Sequence, residues 1–253
     1  MPTYRLCVSY DGTDFCGWQR QDNGPSVQAV LEEALGKLCS ESVACRAAGR
    51  TDSGVHALGQ VVSIKTNRAL PPKALMYGTN NHLPASVAVV EATQVADEFD
   101  ARRSASGKLY RYQIWNGPIR SPLHCRTHWH VAYSLDLNAM RLAAGQLVGR
   151  HDFAAFRAAD CERQTTVRHI KRIDVFSPAA EPNTVLIEVE GTAFLKQMVR
   201  ILAGTLVAVG RGHMSVSAVQ EALHSRDRSR AGPTAPALGL VLVRVDYGLR
   251  EGP

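Results

Sequence analysis

Residues 43–66 read VACRAAGRTDSGVHALGQVVSIKT, and this stretch decides the fold class. Two β-prone runs, Val43–Ala48 and Gln60–Thr66, flank a polar loop bounded by Gly49 and Gly59. No helical pattern separates the two runs, and strands and helices elsewhere in the chain also follow one another without regular βαβ alternation. This irregular mixture favours an α+β fold with antiparallel sheets.

The remaining elements form one unit up to about residue 100 and a second unit of similar style after it. After Ser26, apolar residues recur at spacings of three and four, which is typical of a helix with one buried face. The pattern predicts strands at Tyr4–Tyr10, Val87–Ala96, Lys108–Trp115, Ile170–Phe176, Val185–Gly191 and Gly239–Tyr247, and helices beginning at Ser26 and Pro71, over Leu137–Leu147, near Lys196–Val209 and over Ser215–His224.

Composition restricts the class of protein. The 253 residues are 45% hydrophobic and 21% charged, which is typical of a globular protein and excludes a disordered or fibrous one. No run approaches the roughly 18 apolar residues of a membrane span, and residues 1–10 lack a secretory pattern, so we expect a cytoplasmic protein with reduced cysteines. The net charge of +6 favours a polyanionic partner.

The loop Gly49-Arg50-Thr51-Asp52-Ser53-Gly54-Val55-His56-Ala57 places a carboxylate, a guanidinium and an imidazole close together. Glycine, aspartate and serine are ordinary turn formers, so a plain turn is one interpretation. The other is a site, because glycines allow a ligand to approach the backbone and an ionised Asp52 beside Arg50 could act as a nucleophile.

The strand 108–115 reads KLYRYQIW. With a period of two, Tyr110 and Tyr112 share one face with Lys108 and Ile114. Aromatic rings beside basic residues suit base stacking, which contributes about 1–3 kcal/mol per base. The alternative is that both tyrosines are core residues.

A third candidate is Arg200, which lies inside the apolar run 194–204, FLKQMVRILAG. Helical spacing aligns Lys196, Arg200 and Gly204 on one stripe. A half-buried arginine needs an acceptor, most simply a carboxylate, and the small Gly204 leaves room for a partner. The alternative is a solvated helix face.

Two further clusters of polar residues have a structural role as their simplest explanation. The run 124–130, HCRTHWH, contains three histidines, but no second Cys/His pair stands at zinc-site spacing, so we expect no metal. His151 and Asp152 are residue types that could act as an acid/base pair. Asp152 follows Gly149-Arg150, however, and is better explained as a turn or cap residue.

Taken together, these stretches resemble the tRNA pseudouridine synthase A family. The similar blocks occur in the family's order from residue 3 to 247. The family usually has Ala in place of Ser53, and many relatives have His in place of Asp100. The blocks are Gly49–Ala57, Phe99-x-Ala101-Arg102, Lys108-x-Tyr110-x-Tyr112, Gly149-x-His151-Asp152-Phe153, Phe194-Leu195 with Met198-Val199-Arg200, and Ala231–Pro236 with Gly239-Leu240.

The resemblance implies a pseudouridine synthase fold, in which two ferredoxin-like halves, residues 1–104 and 105–253, share a mostly antiparallel sheet around a basic cleft. It also implies a homodimer, no metal or organic cofactor, and tRNA uridines 38, 39 and 40 of the anticodon arm as targets. By the same resemblance Asp52 is the catalytic carboxylate and Arg200 pairs with it. Tyr110 stacks on the target base, and Arg50 helps to hold the flipped nucleotide.

Surface cations would then contact phosphates, and binding would weaken as salt rises. The candidates are Arg20, Arg46, Lys65, Arg68, Arg102, Arg103, Arg226, Arg228 and Arg230.

Two rival functions remain at this stage. A non-catalytic RNA-binding module would need only the basic charge and the Tyr110/Tyr112 strand, but it leaves Asp52 and Arg200 unexplained. A metal hydrolase built on His124–His130 would need an additional carboxylate or cysteine ligand and would contain zinc.

Overall fold

A computed structural model describes residues 1–22 and 24–248. The chain divides into two compact units, one of residues 1–106 together with the described residues from Leu242 on, and one of Gly107–Val241. The end of the chain therefore groups with the first unit, whereas the sequence placed it in the second half.

The first unit contains a βαββαβ succession that matches the ferredoxin-like motif. The strands lie in the order β4, β1, β3, and β2 also pairs with β3. Each described pairing among them is antiparallel, as the sequence predicted. The elements are β1 (Thr3–Tyr10), α1 (Val27–Cys39), β2 (Arg46–Ala47), β3 (His56–Lys65), α2 (Pro72–Asn80) and β4 (Val87–Val95).

The second unit has strands in the order β5, β9, β8, β7, again antiparallel, while the short β6 adds to β5 in parallel. The sequence missed β6 and β7 because strands of two and four residues show no period. The elements are β5 (Gly107–Trp115), β6 (Trp129–His130), α3 (Leu137–Gly145), β7 (Gly149–Asp152), β8 (Val167–Phe176), β9 (Thr184–Gly191), α4 (Met198–Gly210) and α5 (Val216–Ser225). The last strand is β10 (Leu240–Asp246), which runs into the first unit and neighbours β3 there.

Caps and turns explain where the helices begin. The Ser26 side chain accepts a hydrogen bond from the Ala29 amide at 3.3 Å and starts α1, whose buried face includes Leu31 and Leu35. The Asp136 carboxylate caps α3 in the same way, and Pro72 occupies the first turn of α2. Among the described residues, no helix has the length and apolar character needed to cross a membrane.

Candidate active site

The Asp52 loop is shorter than the sequence predicted, because β3 already begins at His56. Asp52 is half-buried and Arg50 is exposed. The Val55 amide donates to the Asp52 carbonyl at 3.1 Å, and Gly54 has a φ of +75°, a conformation that glycine adopts without strain. The loop is therefore a tight turn that presents the Asp52 carboxylate at its tip.

A second segment, between β1 and α1, holds this turn from one side. The Tyr10 hydroxyl and the Thr51 hydroxyl form a buried 2.8 Å hydrogen bond, and the Trp18 amide donates to the Thr51 carbonyl at 3.1 Å. The Ser53 hydroxyl donates to the Phe15 carbonyl at 3.2 Å. Burial raises the pKa of Tyr10 to about 12, so its hydroxyl stays protonated and neutral at physiological pH.

Two glycines allow the segment to lie against the turn. A β-carbon on Gly12 would lie 2.0 Å from the Val55 carbonyl oxygen, and one on Gly17 would lie 2.8 Å from the Thr51 carbonyl oxygen. The sequence identified Gly12 only as part of a turn, and it contained no signal for the role of Gly17. Both glycines are required because backbone meets backbone here.

The imidazole of the loop faces inward. His56 is buried, and its Nδ1 accepts a hydrogen bond from the Gly12 amide at 3.0 Å while lying 3.1 Å from an Asp11 carboxylate oxygen. Of the three chemical groups that the sequence placed together, the carboxylate and the guanidinium therefore reach the surface. His56 instead joins the turn at Asp11-Gly12 to the base of the loop.

In the second unit, β5 carries Tyr110. The Tyr110 ring is 8% exposed and packs edge-to-face on Phe194, with 5.1 Å between ring centroids. Tyr112 is fully buried, and its hydroxyl donates to the Pro236 carbonyl at 2.8 Å. Both tyrosines are thus buried in the core, as one interpretation of the strand held, and Tyr110 keeps a small exposed part.

Arg200 is half-buried on α4, which begins at Met198 rather than Lys196. Its Nε donates to the Ala235 carbonyl at 2.8 Å, and the Ala235 amide donates to the Arg200 carbonyl at 3.1 Å. A backbone carbonyl is therefore one acceptor of the guanidinium, and the carboxylate partner that the sequence suggested stays a prediction. Lys196, on the predicted stripe, forms an ion pair with Asp160 at 2.5 Å.

Gly204, on the same face of α4 as Arg200, is glycine because another segment lies against it. A β-carbon there would lie 1.8 Å from the Pro233 carbonyl oxygen, so the space that the sequence reserved for a partner is occupied by the protein's own loop 231–236. The Gly232 amide donates to the Thr205 hydroxyl at 2.9 Å, which fixes the same loop to α4. The loop in turn positions the Arg200 guanidinium through Ala235.

Several candidate phosphate-binding cations have local acceptors. Arg20 pairs with Glu32 at 2.9 Å and Arg226 with Asp152 at 3.0 Å. Arg228 donates to the Gly232 carbonyl at 2.9 Å, so part of its role is to hold loop 231–236.

Asp152 lies at the end of β7, where its carboxylate accepts from the Ala154 amide at 3.1 Å, as the turn interpretation predicted. The last two residues of the histidine run form β6, and its first part, through His128, lies in turns. There His124 stacks on Trp115, and burial together with His124 lowers the pKa of His128 to about 4.

The structure brings Asp52 and Arg50 together on one loop of the first unit. Tyr110 and Arg200 lie on β5 and α4 of the second unit. Each of these side chains lies on an element that the sequence identified. The close contacts of Gly12, Gly17 and Gly204, in contrast, join residues that are distant in the chain.

Comparison with known proteins identifies the family. The sequence profile of a family described as tRNA pseudouridine synthase matches residues 6–102 and 143–248. A Myxococcus xanthus relative named tRNA pseudouridine synthase A is 53% identical over 253 residues, which cover 100% of this chain and 94% of the relative. A relative of the same name from Pelobacter propionicus is 50% identical over 247 residues, covering 98% and 100% of the two chains.

Similarity to solved structures is weaker. A structure titled "Crystal Structure of a Cbf5-Nop10-Gar1 Complex" aligns with 81% of this chain and 45% of its own, at 14% identity and a TM-score of 0.37. The family profile and the full-length relatives suffice without it: the chain belongs to the tRNA pseudouridine synthase family.

Proposed function

We propose that this protein is an isomerase that converts uridine to pseudouridine in tRNA, at positions 38, 39 and 40 of the anticodon arm. Family membership supports the reaction and the tRNA substrate. The observation that carries the proposal is the Asp52 turn, a half-buried carboxylate on a backbone braced by Gly12 and Gly17. This bracing holds the main chain on either side of Asp52 in one position.

The reaction leaves the atomic composition of the nucleotide unchanged. The bond from N1 of uracil to the ribose C1′ breaks, the uracil rotates, and its C5 forms a bond to C1′. The proton on C5 leaves and N1 gains a proton, so nothing is oxidised or reduced. The site must therefore accept a base that has left the RNA stack, and it must supply a nucleophile. We assign the role of nucleophile to Asp52, which attacks either the uracil ring or C1′.

The other roles follow the family pattern. We propose that Arg200 pairs with Asp52 and orients it, and its hydrogen bond to Ala235 supports this by fixing the guanidinium. Tyr110 would stack on the target base. Since Tyr110 is 8% exposed, the base would contact the small part of the tyrosine that solvent reaches. Arg50, exposed beside Asp52, would hold the flipped nucleotide through its phosphate or base.

The proposal extends to the assembly. We propose two ferredoxin-like halves that divide the chain near residues 104–106, a basic surface for tRNA, and a homodimer in the cytoplasm. The reaction as assigned uses neither a metal nor an organic cofactor. The net charge of +6 suits a polyanionic substrate.

The test is release of tritium from C5-labelled uridine in unmodified tRNA. We expect release from a wild-type transcript, and we expect it to fall to background when uridines 38, 39 and 40 are all replaced by cytidine. Binding of tRNA without release from any transcript would favour the rival, a non-catalytic RNA-binding module. Release that persists after the replacement would refute the assigned positions but not the reaction.

A further inference from the structure

Three metal-ligating side chains of the second unit converge outside the residues assigned to the reaction. His124 and His128 lie in the connection from β5 to β6, and Glu181 lies in the hairpin between β8 and β9. One potential ligand atom from each lies within 4.8 Å of the others. Glu181 is the carboxylate partner that the histidine run lacks in the sequence, and it is supplied from far along the chain.

Both imidazoles are oriented by neighbouring hydroxyls. The Nδ1 of His124 lies 2.8 Å from the Ser121 hydroxyl, and the Nδ1 of His128 lies 2.9 Å from the Thr127 hydroxyl. With Nδ1 engaged, Nε2 is the nitrogen of each ring that can bind a metal. Metal-binding histidines commonly show this arrangement, in which a partner of the second nitrogen fixes the tautomer and the ring.

The carboxylate is oriented in the same manner. The Thr184 hydroxyl donates to one Glu181 carboxylate oxygen at 3.1 Å, which leaves the other oxygen available. The hairpin that carries Glu181 is joined to the connection after β5 by the Asn116 amide, which donates to the Asn183 carbonyl at 2.6 Å. The two segments that carry the ligands are thus already adjacent.

A cavity of about 270 Å³ borders the two imidazoles, and the Trp115 ring forms one wall, stacked on His124 at 4.8 Å between centroids. A tetrahedral zinc ion bound at about 2.0–2.1 Å separates neighbouring ligand atoms by about 3.4 Å. The ligands must therefore move closer together, and Glu181, whose side chain is exposed, is the ligand with the most room to move.

We propose that His124, His128 and Glu181 bind one divalent transition-metal ion of the zinc class, with water as a further ligand. Two imidazoles and one carboxylate are a ligand set that zinc accepts, whereas magnesium and calcium prefer oxygen ligands alone. The ion joins residues 116–128 to the hairpin 177–183. Its role is to hold these two connections together, and it takes no part in the isomerisation.

The test uses the full-length protein without a polyhistidine tag, freed of metal with a chelator and dialysed. Zinc binding is measured by competition with a chromophoric chelator, and cobalt binding by the visible absorption of tetrahedral Co²⁺. We expect one equivalent of either ion to bind. His124→Gln and His128→Gln should weaken zinc binding by at least about 100-fold, because loss of even an orienting partner costs about 10–100-fold.

Further variants separate ligation from folding. Glu181→Gln retains the acceptor for Thr184 and should weaken zinc binding and change the cobalt spectrum, while Thr127→Val should weaken zinc binding by about 10-fold. His213→Gln, at an exposed histidine outside the cluster, should bind zinc like the wild type. Metal-free melting temperatures establish that each variant folds. Zinc should raise the melting temperature of the wild type and of His213→Gln fully, that of Thr127→Val less, and those of His124→Gln and His128→Gln very little.

The proposal is overturned if the wild-type protein binds no zinc, or if the His124→Gln/His128→Gln double variant binds zinc as tightly as the wild type. Equal binding by the wild type and Glu181→Gln, with identical cobalt spectra, would likewise remove Glu181 from the site.

Discussion

Gly17 lies against Thr51 so closely that a β-carbon on Gly17 would stand 2.8 Å from the Thr51 carbonyl oxygen and 3.2 Å from the carbonyl carbon of Asp52. The φ of Gly17 is +106°, which adds a second reason for glycine. The segment before α1 therefore determines where the main chain of the Asp52 loop runs.

Replacing Gly17 by alanine should displace this loop. We expect Gly17→Ala to lower the free energy of unfolding by about 1–3 kcal/mol and to reduce turnover at least about 10-fold. The control is Gly212→Ala, because Gly212 also has a positive φ, +72°, but a β-carbon there would meet nothing within 4 Å. Equal losses of activity in the two variants would show that the contact with the loop is unimportant.

Gly204 should prove equally intolerant of a side chain. Its β-carbon would lie 1.8 Å from the Pro233 carbonyl oxygen, so Gly204→Ala must push loop 231–236 away from α4 and loosen the bond between Arg200 and Ala235. We expect a loss of about 2–4 kcal/mol in chemical denaturation. Gly145→Ala, at a helical glycine with open space around it, should leave stability unchanged or increase it. Similar denaturation midpoints for the two variants would contradict this account.

The buried hydroxyl pair of Tyr10 and Thr51 should stabilise the loop as a unit. Tyr10→Phe and Thr51→Val should each destabilise the protein by about 1–3 kcal/mol, because each removes one partner of a buried hydrogen bond. A double-mutant cycle in urea should give a coupling energy of about 0.5–1.5 kcal/mol. Strict additivity of the two losses would mean that the hydrogen bond contributes nothing.

Much of the fold could be predicted from periodicity and caps, since α1 begins after Ser26 and β4, β5 and β9 lie within a residue of their predicted bounds. The need for glycine at positions 17 and 204 could not be predicted, because the backbone segments that contact Gly17 and Gly204 are distant in the chain. Glu181 was missed as a partner of the histidine run for the same reason: its neighbours in sequence show a turn, and only the pairing of β8 with β9 places it.

Asp100 should make the free energy of unfolding depend on pH in the acid range. The Arg103 and Arg102 amides donate to its carboxylate at 2.9 Å, and these bonds, with Arg46 nearby, lower its pKa below the ordinary value. A lowered folded-state pKa contributes stability above the unfolded pKa of about 3.9, and this contribution disappears as pH falls through the folded value.

We therefore expect Asp100→Asn to lose about 1 kcal/mol at pH 7 and progressively less as the pH falls towards 3. Denaturation at several pH values measures this difference, with Asp22→Asn, at an exposed aspartate, as the control. A loss for Asp100→Asn that is constant from pH 7 to 3 would show that the charge of the carboxylate is not what stabilises the turn.

The nucleophilic role of Asp52 is tested most directly by the conservative replacement Asp52→Asn, which keeps the size of the side chain and removes its charge. Tritium release from C5-labelled tRNA and tRNA affinity are measured for the wild type and the variant, together with a denaturation curve that shows both to be folded. We predict that release falls to background while tRNA affinity stays nearly unchanged. Release by Asp52→Asn at a rate near that of the wild type would contradict the assignment of Asp52 as the nucleophile.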